Sequence, residues 1–239
     1  ETPLGPLIGV TPALAAVLGN ADRQPRAVLE PVQVVDRTVE DYEPVTQEEL
    51  ENPAAGDWLM WRRTYDSWGY SPLSDVNREN VARLRLAWSW AIGEGVSQPT
   101  PLARNGVLYL ANPDNVIQAI DGRTGDLLWE YRRRFPPRFG GFFDHLRNLA
   151  IAGDKIFVAT LDAHLVALNA RTGEVEWDTR VADYRLGYTN TSGPIVADGR
   201  VINGINGCGR FFEEGCFITA HDAETGEELW RVSTIARPG

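Results

Sequence analysis

Short stretches with an apolar side chain at every second position recur along the chain, and turn-forming residues separate them. Leu84-Arg-Leu-Ala-Trp-Ser-Trp90 puts Leu84, Leu86, Trp88 and Trp90 on one face, a period of two that predicts a strand. Gly106-Val-Leu-Tyr-Leu110, Lys155-Ile-Phe-Val-Ala159 and Arg200-Val-Ile202 read the same way, and each follows a turn: Arg-Asn-Gly, Ala-Gly-Asp and Ala-Asp-Gly. Further strands are expected at Val116-Ile-Gln-Ala-Ile120, Leu127-Leu-Trp-Glu-Tyr131 and Leu165-Val-Ala-Leu168. Only near the start does a helix signal stand out: Thr46-Gln-Glu-Glu49 has the spacing of a capping box, and Pro53 would end the helix.

The strands belong to a repeat. Ala119 to Trp129, Ala167 to Trp177 and Ala220 to Trp230 all read Ala-x-(Asp/Asn)-x-x-Thr-Gly-x-x-x-Trp. From Asp121 to Asn169 is 48 residues and from Asn169 to Asp222 is 53. Self-similarity at such a period marks a repeat architecture. Within a copy the Asp or Asn can accept from backbone groups two residues on and start a turn. The Gly is free to take positive φ. The Trp always stands eight residues after the Asp or Asn, which suggests a ring wedged between neighbouring units. One unit of about fifty residues then holds four short strands, the plan of a propeller blade. The expected fold is all-β: a β-propeller of four-stranded blades, with residues 51–239 as the first blades and 1–50 as an arm. That arm is Pro-, Ala- and acid-rich and lacks a repeat copy.

Composition narrows the function. The 239 residues are 43% hydrophobic and 10% aromatic, as in a folded protein. A net charge of −10 argues against nucleic acid and against a polybasic membrane contact. No apolar run is long enough to span a bilayer. Cys208 and Cys216 flank a loop. A disulfide there would staple it and imply an oxidising compartment, periplasmic or secreted; two reduced thiols are the other reading. The start at Glu1 is consistent with a signal already removed. His145, His164 and His221 are too scattered to suggest a triad or a zinc site, and no G-x-G-x-x-G motif follows a strand.

From residue 55 onward the chain resembles the pyrroloquinoline quinone (PQQ)-dependent alcohol dehydrogenases. The resemblance rests on the Thr-Gly-x-x-x-Trp units and, more specifically, on Tyr70-Ser-Pro-Leu73, Asn77, Asn80-Val81, Leu84 and Trp88, which are similar to that family's entry segment. It implies an eight-bladed ring with PQQ and a calcium or lanthanide ion on its axis. It also implies alcohol (or sugar or aldehyde) oxidation by hydride transfer to PQQ, with electrons passed to a cytochrome c or quinone. With three repeat copies, this chain would supply part of the ring. The remaining blades would come from a second polypeptide or a C-terminal part, together with the catalytic base and most metal ligands.

The resemblance places candidate cofactor contacts at Gln98, in Gln98-Pro-Thr-Pro101, and at Arg147, in His145-Leu-Arg-Asn-Leu-Ala150. Thr160 and Thr191 match further contacts, and so does the run Asn206, Gly207, Cys208. Arg147 would face the quinone oxygens. Two departures stand out. Gly141-Phe142-Phe143 replaces the family's adjacent cysteines, and Gly209 stands where many members have a metal-binding Glu. Both departures suit an alternative, a non-enzymatic propeller scaffold resembling outer-membrane assembly lipoproteins. The entry segment, Arg147 and Thr160 favour the enzyme.

Overall fold

The computed structural model describes residues 38–135, 145–207 and 215–235. Twelve strands form three antiparallel four-stranded sheets. The first blade holds β1 (Leu102–Arg104), β2 (Val107–Asn112), β3 (Val116–Asp121) and β4 (Leu127–Arg132). The second holds β5 (Ala150–Ala152), β6 (Lys155–Ala159), β7 (His164–Asn169) and β8 (Val175–Arg180). The third holds β9 (Ile195–Ala197), β10 (Arg200–Gly204), β11 (Phe217–Asp222) and β12 (Glu228–Ser233). In each sheet the strands are ordered as in the chain, so every connection is a hairpin.

The repeat explains itself in the register. Ala119 pairs with Trp129, Ala167 with Trp177 and Ala220 with Trp230, and a register shift follows each pair. The alanine is fully buried in all three copies, leaving room for the indole across the ladder. The turns behave as the motif requires. Asp121 Oδ1 accepts from the amides of Arg123 and Thr124 at 2.7 and 3.0 Å, and Asn169 and Asp222 repeat this. Gly125, Gly173 and Gly226 have φ of 79°, 75° and 73°.

These turns also join the blades. The Trp129 indole donates to the Ala170 carbonyl at 3.0 Å, and its ring lies so close to Gly173 that a Cβ there would sit 2.6 Å away. Trp177 repeats this on Ala223 and Gly226, at 3.1 and 2.6 Å. Tyr109 and Phe157 pack behind Trp129 and Trp177, with ring centroids 5.9 and 5.8 Å apart. The inner strands show the result: every residue of β6 is buried, whereas in the third blade's counterpart β10 only Val201 and Asn203 are.

The predicted strand at Leu84–Trp90 is not one. A 3-10 turn covers Val81–Arg83, and residues 84–90 join no ladder. Leu84 and Leu86 are exposed because no neighbouring strand is there to pair with or cover them. The two tryptophans are nonetheless fixed. Trp88 docks on Gly122 and Gly125 of the first blade, and Trp90 Nε1 donates to Gln118 Oε1 at 2.9 Å.

The capping box forms as expected: α1 spans Gln47–Glu51 and Thr46 and Glu49 exchange both bonds. Residues 38–65 around it run as a strap across all three blades. Val45 bridges to Gly153 and the Tyr42 hydroxyl donates to the same carbonyl. Trp58 bridges to Ala103, and Tyr65 donates to the Val196 carbonyl at 2.6 Å. Arg104, 4% exposed, ties the strap to β1 through Asp57 at 2.9 Å and Glu49 at 2.8 Å. Most of these anchors lie at the ends of β1, β5 and β9 opposite the entry loops, which leaves the entry-loop end clear.

Candidate functional site

At that clear end, three entry segments converge. They precede β1, β5 and β9, the innermost strands, and carry Thr100, Arg147 and Thr191. The Thr100 amide donates to the Arg147 carbonyl at 2.9 Å. Arg147 Nη1 in turn donates to the Thr191 carbonyl at 3.1 Å. Thr191, buried, accepts at its hydroxyl from Asn206 Nδ2. Thr189 and Asn206 close a two-bond bridge at 3.2 and 2.9 Å. The segments approach closely because two residues lack side chains. A Cβ on Gly193 would lie 2.1 Å from the Asn148 carbonyl oxygen, and one on Gly207 would lie 1.8 Å from that of Gly187.

The structure thus brings together Arg147, Thr191, Asn206 and Gly207, with Gln98 exposed two residues before Thr100. Thr160 lies behind them. Its hydroxyl is fully buried and bonded to Asp162 Oδ1 at 2.6 Å, and its carbonyl accepts from Asn190 at 3.0 Å. Its link to the cluster runs through Asn190, the neighbour of Thr191. Cys208, Gly209, Glu213, Glu214 and the Gly141–Phe143 run lie outside the described residues.

Two residues of the cluster went unnoticed in the sequence. Asn148 follows Arg147, and its Oδ1 is buried without a partner. Asn190 is 1% exposed and joins two blades. The one available signal was the polar run Thr189-Asn-Thr-Ser, placed where a strand entry is usually apolar.

A second polar group stands between the first two blades. Arg133 holds Asp162 through Nη2 at 2.8 Å and also reaches Asp178, whose other oxygen meets His164 Nδ1 at 2.6 Å. Burial opposes the Arg133 charge, yet the bonds to Asp162 and Asp178 outweigh it and raise its pKa. Burial would also raise the Asp178 carboxyl, but the His164 and Arg133 bonds hold it below the usual range. These groups are consumed by one another and act as an inter-blade clamp.

The convergent cluster is different. Arg147 pairs with no carboxylate among the described residues, so a cation, an amide and a hydroxyl share one end of the axis. Such a set suits a flat ligand bearing carboxylates and carbonyls. The exposed Gln98 amide adds donors beside the Arg147 guanidinium, so the residues present fit a quinone carboxylate, whereas the orphaned Asn148 oxygen would take an N–H of a ligand. No group of three or more His, Cys, Asp or Glu capable of holding a metal occurs among the described residues.

The fold and this end of the axis define a tryptophan-docked β-propeller with a polar, cationic axial cluster. The chain belongs to the PQQ family described as glucose/ethanol/alcohol dehydrogenase, beta-propeller domain, whose model matches residues 58–238. It is 40% identical over 187 residues to the quinohemoprotein alcohol dehydrogenase ADH-IIG of Pseudomonas putida, covering 75% of this chain and 26% of that one. It is 37% identical over 203 residues to a quinoprotein ethanol dehydrogenase of Pseudomonas aeruginosa, covering 78% and 32%. Among solved structures, a europium-containing methanol dehydrogenase superposes with a TM-score of 0.72 at 31% identity, over 80% of this chain and 34% of that one. The chain therefore spans roughly a quarter to a third of the length of these relatives.

Proposed function

We propose that this chain is the first part of a PQQ-dependent alcohol dehydrogenase, and that its entry-loop end forms one wall of the cofactor site. The observation that carries this reading is Arg147 bonded to Thr191, which Asn206 also bonds, on the axial end of blades that belong to the quinoprotein family. When bound, PQQ supplies an electrophilic quinone that takes the hydride from the alcohol carbon. Arg147 stabilises the negative charge that grows on an oxygen held against its guanidinium. Gln98, Thr191 and the Asn206–Gly207–Cys208 run hold carboxylate and carbonyl groups. Thr160 supports them from behind.

A calcium or lanthanide ion accompanies the cofactor and takes most of its ligands from residues outside this chain. Asn206 turns Nδ2 to Thr191, which leaves Oδ1 for a hard cation. The remaining blades, the base that takes the hydroxyl proton, and the contact with an electron acceptor such as cytochrome c also lie outside it. The open third-blade face supports a further blade. Trp230 is 39% exposed and placed like Trp129 and Trp177, yet has no turn to dock on among the described residues. A periplasmic or secreted location accords with a Cys208–Cys216 disulfide, which would staple the loop between them.

The test uses the full-length protein containing this chain. Titration with PQQ and Ca²⁺ or a lanthanide is expected to shift the cofactor's absorption and to give alcohol-dependent reduction of an artificial acceptor. An unchanged spectrum at saturating cofactor and metal overturns the proposal.

A further inference from the structure

Arg147 does not reach a fixed strand. Its acceptor is the Thr191 carbonyl, in a segment that precedes β9 and belongs to no sheet. Something must hold residues 189–191 in place, and besides the Asn206 bond to the Thr191 hydroxyl three contacts do so. The Thr189 backbone bridges to Asn206. The Thr189 hydroxyl donates to the Leu161 carbonyl at 2.7 Å. The third is the Asn190 side chain.

Asn190 alone reaches both neighbouring elements with one group. Its Nδ2 donates to the Thr160 carbonyl at 3.0 Å and to the His164 carbonyl at 3.3 Å, in the β6–β7 loop of the second blade. Its Oδ1 accepts from Asn203 Nδ2 at 3.1 Å, on β10 of the third. An amide is the smallest side chain that donates twice one way and accepts the other way. At 1% exposure it is shielded from bulk water. The carbonyls it bonds do not depend on it. Thr160 O also accepts from the Ala163 amide at 3.0 Å, and His164 O from the Thr160 amide at 2.8 Å. Removing Asn190 therefore leaves the β6–β7 loop bonded, strands Asn203 Nδ2 on β10 and loosens the segment that carries the Arg147 acceptor.

We infer that Asn190 is a positioning residue for the cofactor site: it fixes Thr191, and through Thr191 the direction of the Arg147 guanidinium. This inference rests on the cofactor reading above. Arg147 is otherwise half-buried, with no carboxylate among the described residues to aim it. A shift of the Thr191 carbonyl would let it swing, and a contact misplaced by about 1 Å can cost on the order of 100-fold.

The experiment compares Asn190→Ala with Ile120→Ala in the full-length protein. Ile120 is fully buried on β3 of the first blade, whereas residues 189–191, the β6–β7 loop and Asn203 belong to the second and third, so its loss is expected to destabilise without reaching the site. Two quantities are read. One is hydrogen exchange of the peptide spanning 188–194 in cofactor-free protein, which reports local opening. The other is the dissociation constant for PQQ, titrated by absorbance with Ca²⁺ present. Asn190→Ala is expected to speed exchange in 188–194 and weaken PQQ by about tenfold, equivalent to about 1.4 kcal/mol. Ile120→Ala should lower the melting temperature and leave both readings unchanged. Asn190→Asp keeps the acceptor for Asn203 but loses both donors, and should match Asn190→Ala. Wild-type-like exchange and PQQ affinity in Asn190→Ala, with the wild type binding PQQ, overturns this inference alone. Equal effects from Ile120→Ala overturn it too. A wild type that binds no PQQ overturns it together with the cofactor reading.

Discussion

Trp88 donates its indole hydrogen to the Gly122 carbonyl at 3.0 Å and lays its ring over Gly125. This is the contact that Trp129 makes on the second blade and Trp177 on the third. Trp88 thus plays the part of a blade's outer tryptophan although no blade precedes it among the described residues. Replacing the middle contact should be the most costly. Trp129→Ala removes a ring that is 3% exposed and is expected to cost about 3–5 kcal/mol in urea unfolding. Gly173→Ala forces a Cβ into that ring at positive φ and should cost at least about 1–3 kcal/mol. Trp88→Ala should cost less than Trp129→Ala, because its own segment is largely exposed.

Trp230 allows a contrast between this chain and a longer one. With nothing docked on it among the described residues, Trp230→Ala should change the stability of the 239-residue chain by less than about 0.5–1 kcal/mol. In the full-length protein the same change should resemble Trp129→Ala. Equal effects in both would exclude a fourth blade on this face.

The strap depends on one buried cation. Asp57→Ala leaves Arg104 held by Glu49 and by the Glu43 carbonyl at 3.5 Å, with its Nε already unpartnered. Taking one of two carboxylates from a buried charge is expected to cost about 3 kcal/mol, the low end for a broken buried pair, because Glu49 remains. Limited proteolysis should then cut first within 38–65, while strands of the second blade stay protected.

Asp178 makes stability depend on pH. Its carboxyl lies below the usual range in the folded chain. Its contribution is therefore complete above the unfolded value, about 3.9, and is lost as pH falls through the folded one. Asp178→Asn should lower stability at pH 7 by on the order of 1–3 kcal/mol. The gap to wild type should narrow below about pH 4 as the native carboxylate protonates. Urea midpoints measured from pH 7 down to pH 3 read this directly, and a gap that stays constant contradicts the Asp178 clamp.

Arg147 is the test of the site itself. Arg147→Lys keeps the charge but loses the planar fork. In the full-length protein it should weaken PQQ by about 10-fold or more, the scale of one charged hydrogen bond. Its melting temperature should stay near wild type, because no ion pair is broken among the described residues.

The blades were legible because their determinants are local. Asp121, Thr124, Gly125 and Trp129 fix a turn and a register within nine residues, and the period repeats it. Thr46 and Glu49 likewise announce a helix through the bonds they make to each other. Leu84–Trp90 misled for the opposite reason: alternation shows which side chains share a face, but not whether a partner strand exists. The role of Asn190 was hidden because its partners, Thr160 and Asn203, come from different blades. The strap escaped notice for the same reason, since Tyr65 meets Val196 across 131 residues.

That separation has a consequence for synthesis. Blades one and two can form as they leave the ribosome, because their hairpins pair neighbours in sequence. The strap cannot finish until Val196 and Asp198 have been made, since Tyr65 and Gln47 bond to them. The earliest part of this unit to be translated is thus among the last to lock. It closes only over a third blade that has begun to fold, which makes residues 38–65 an assembly check on the three described blades.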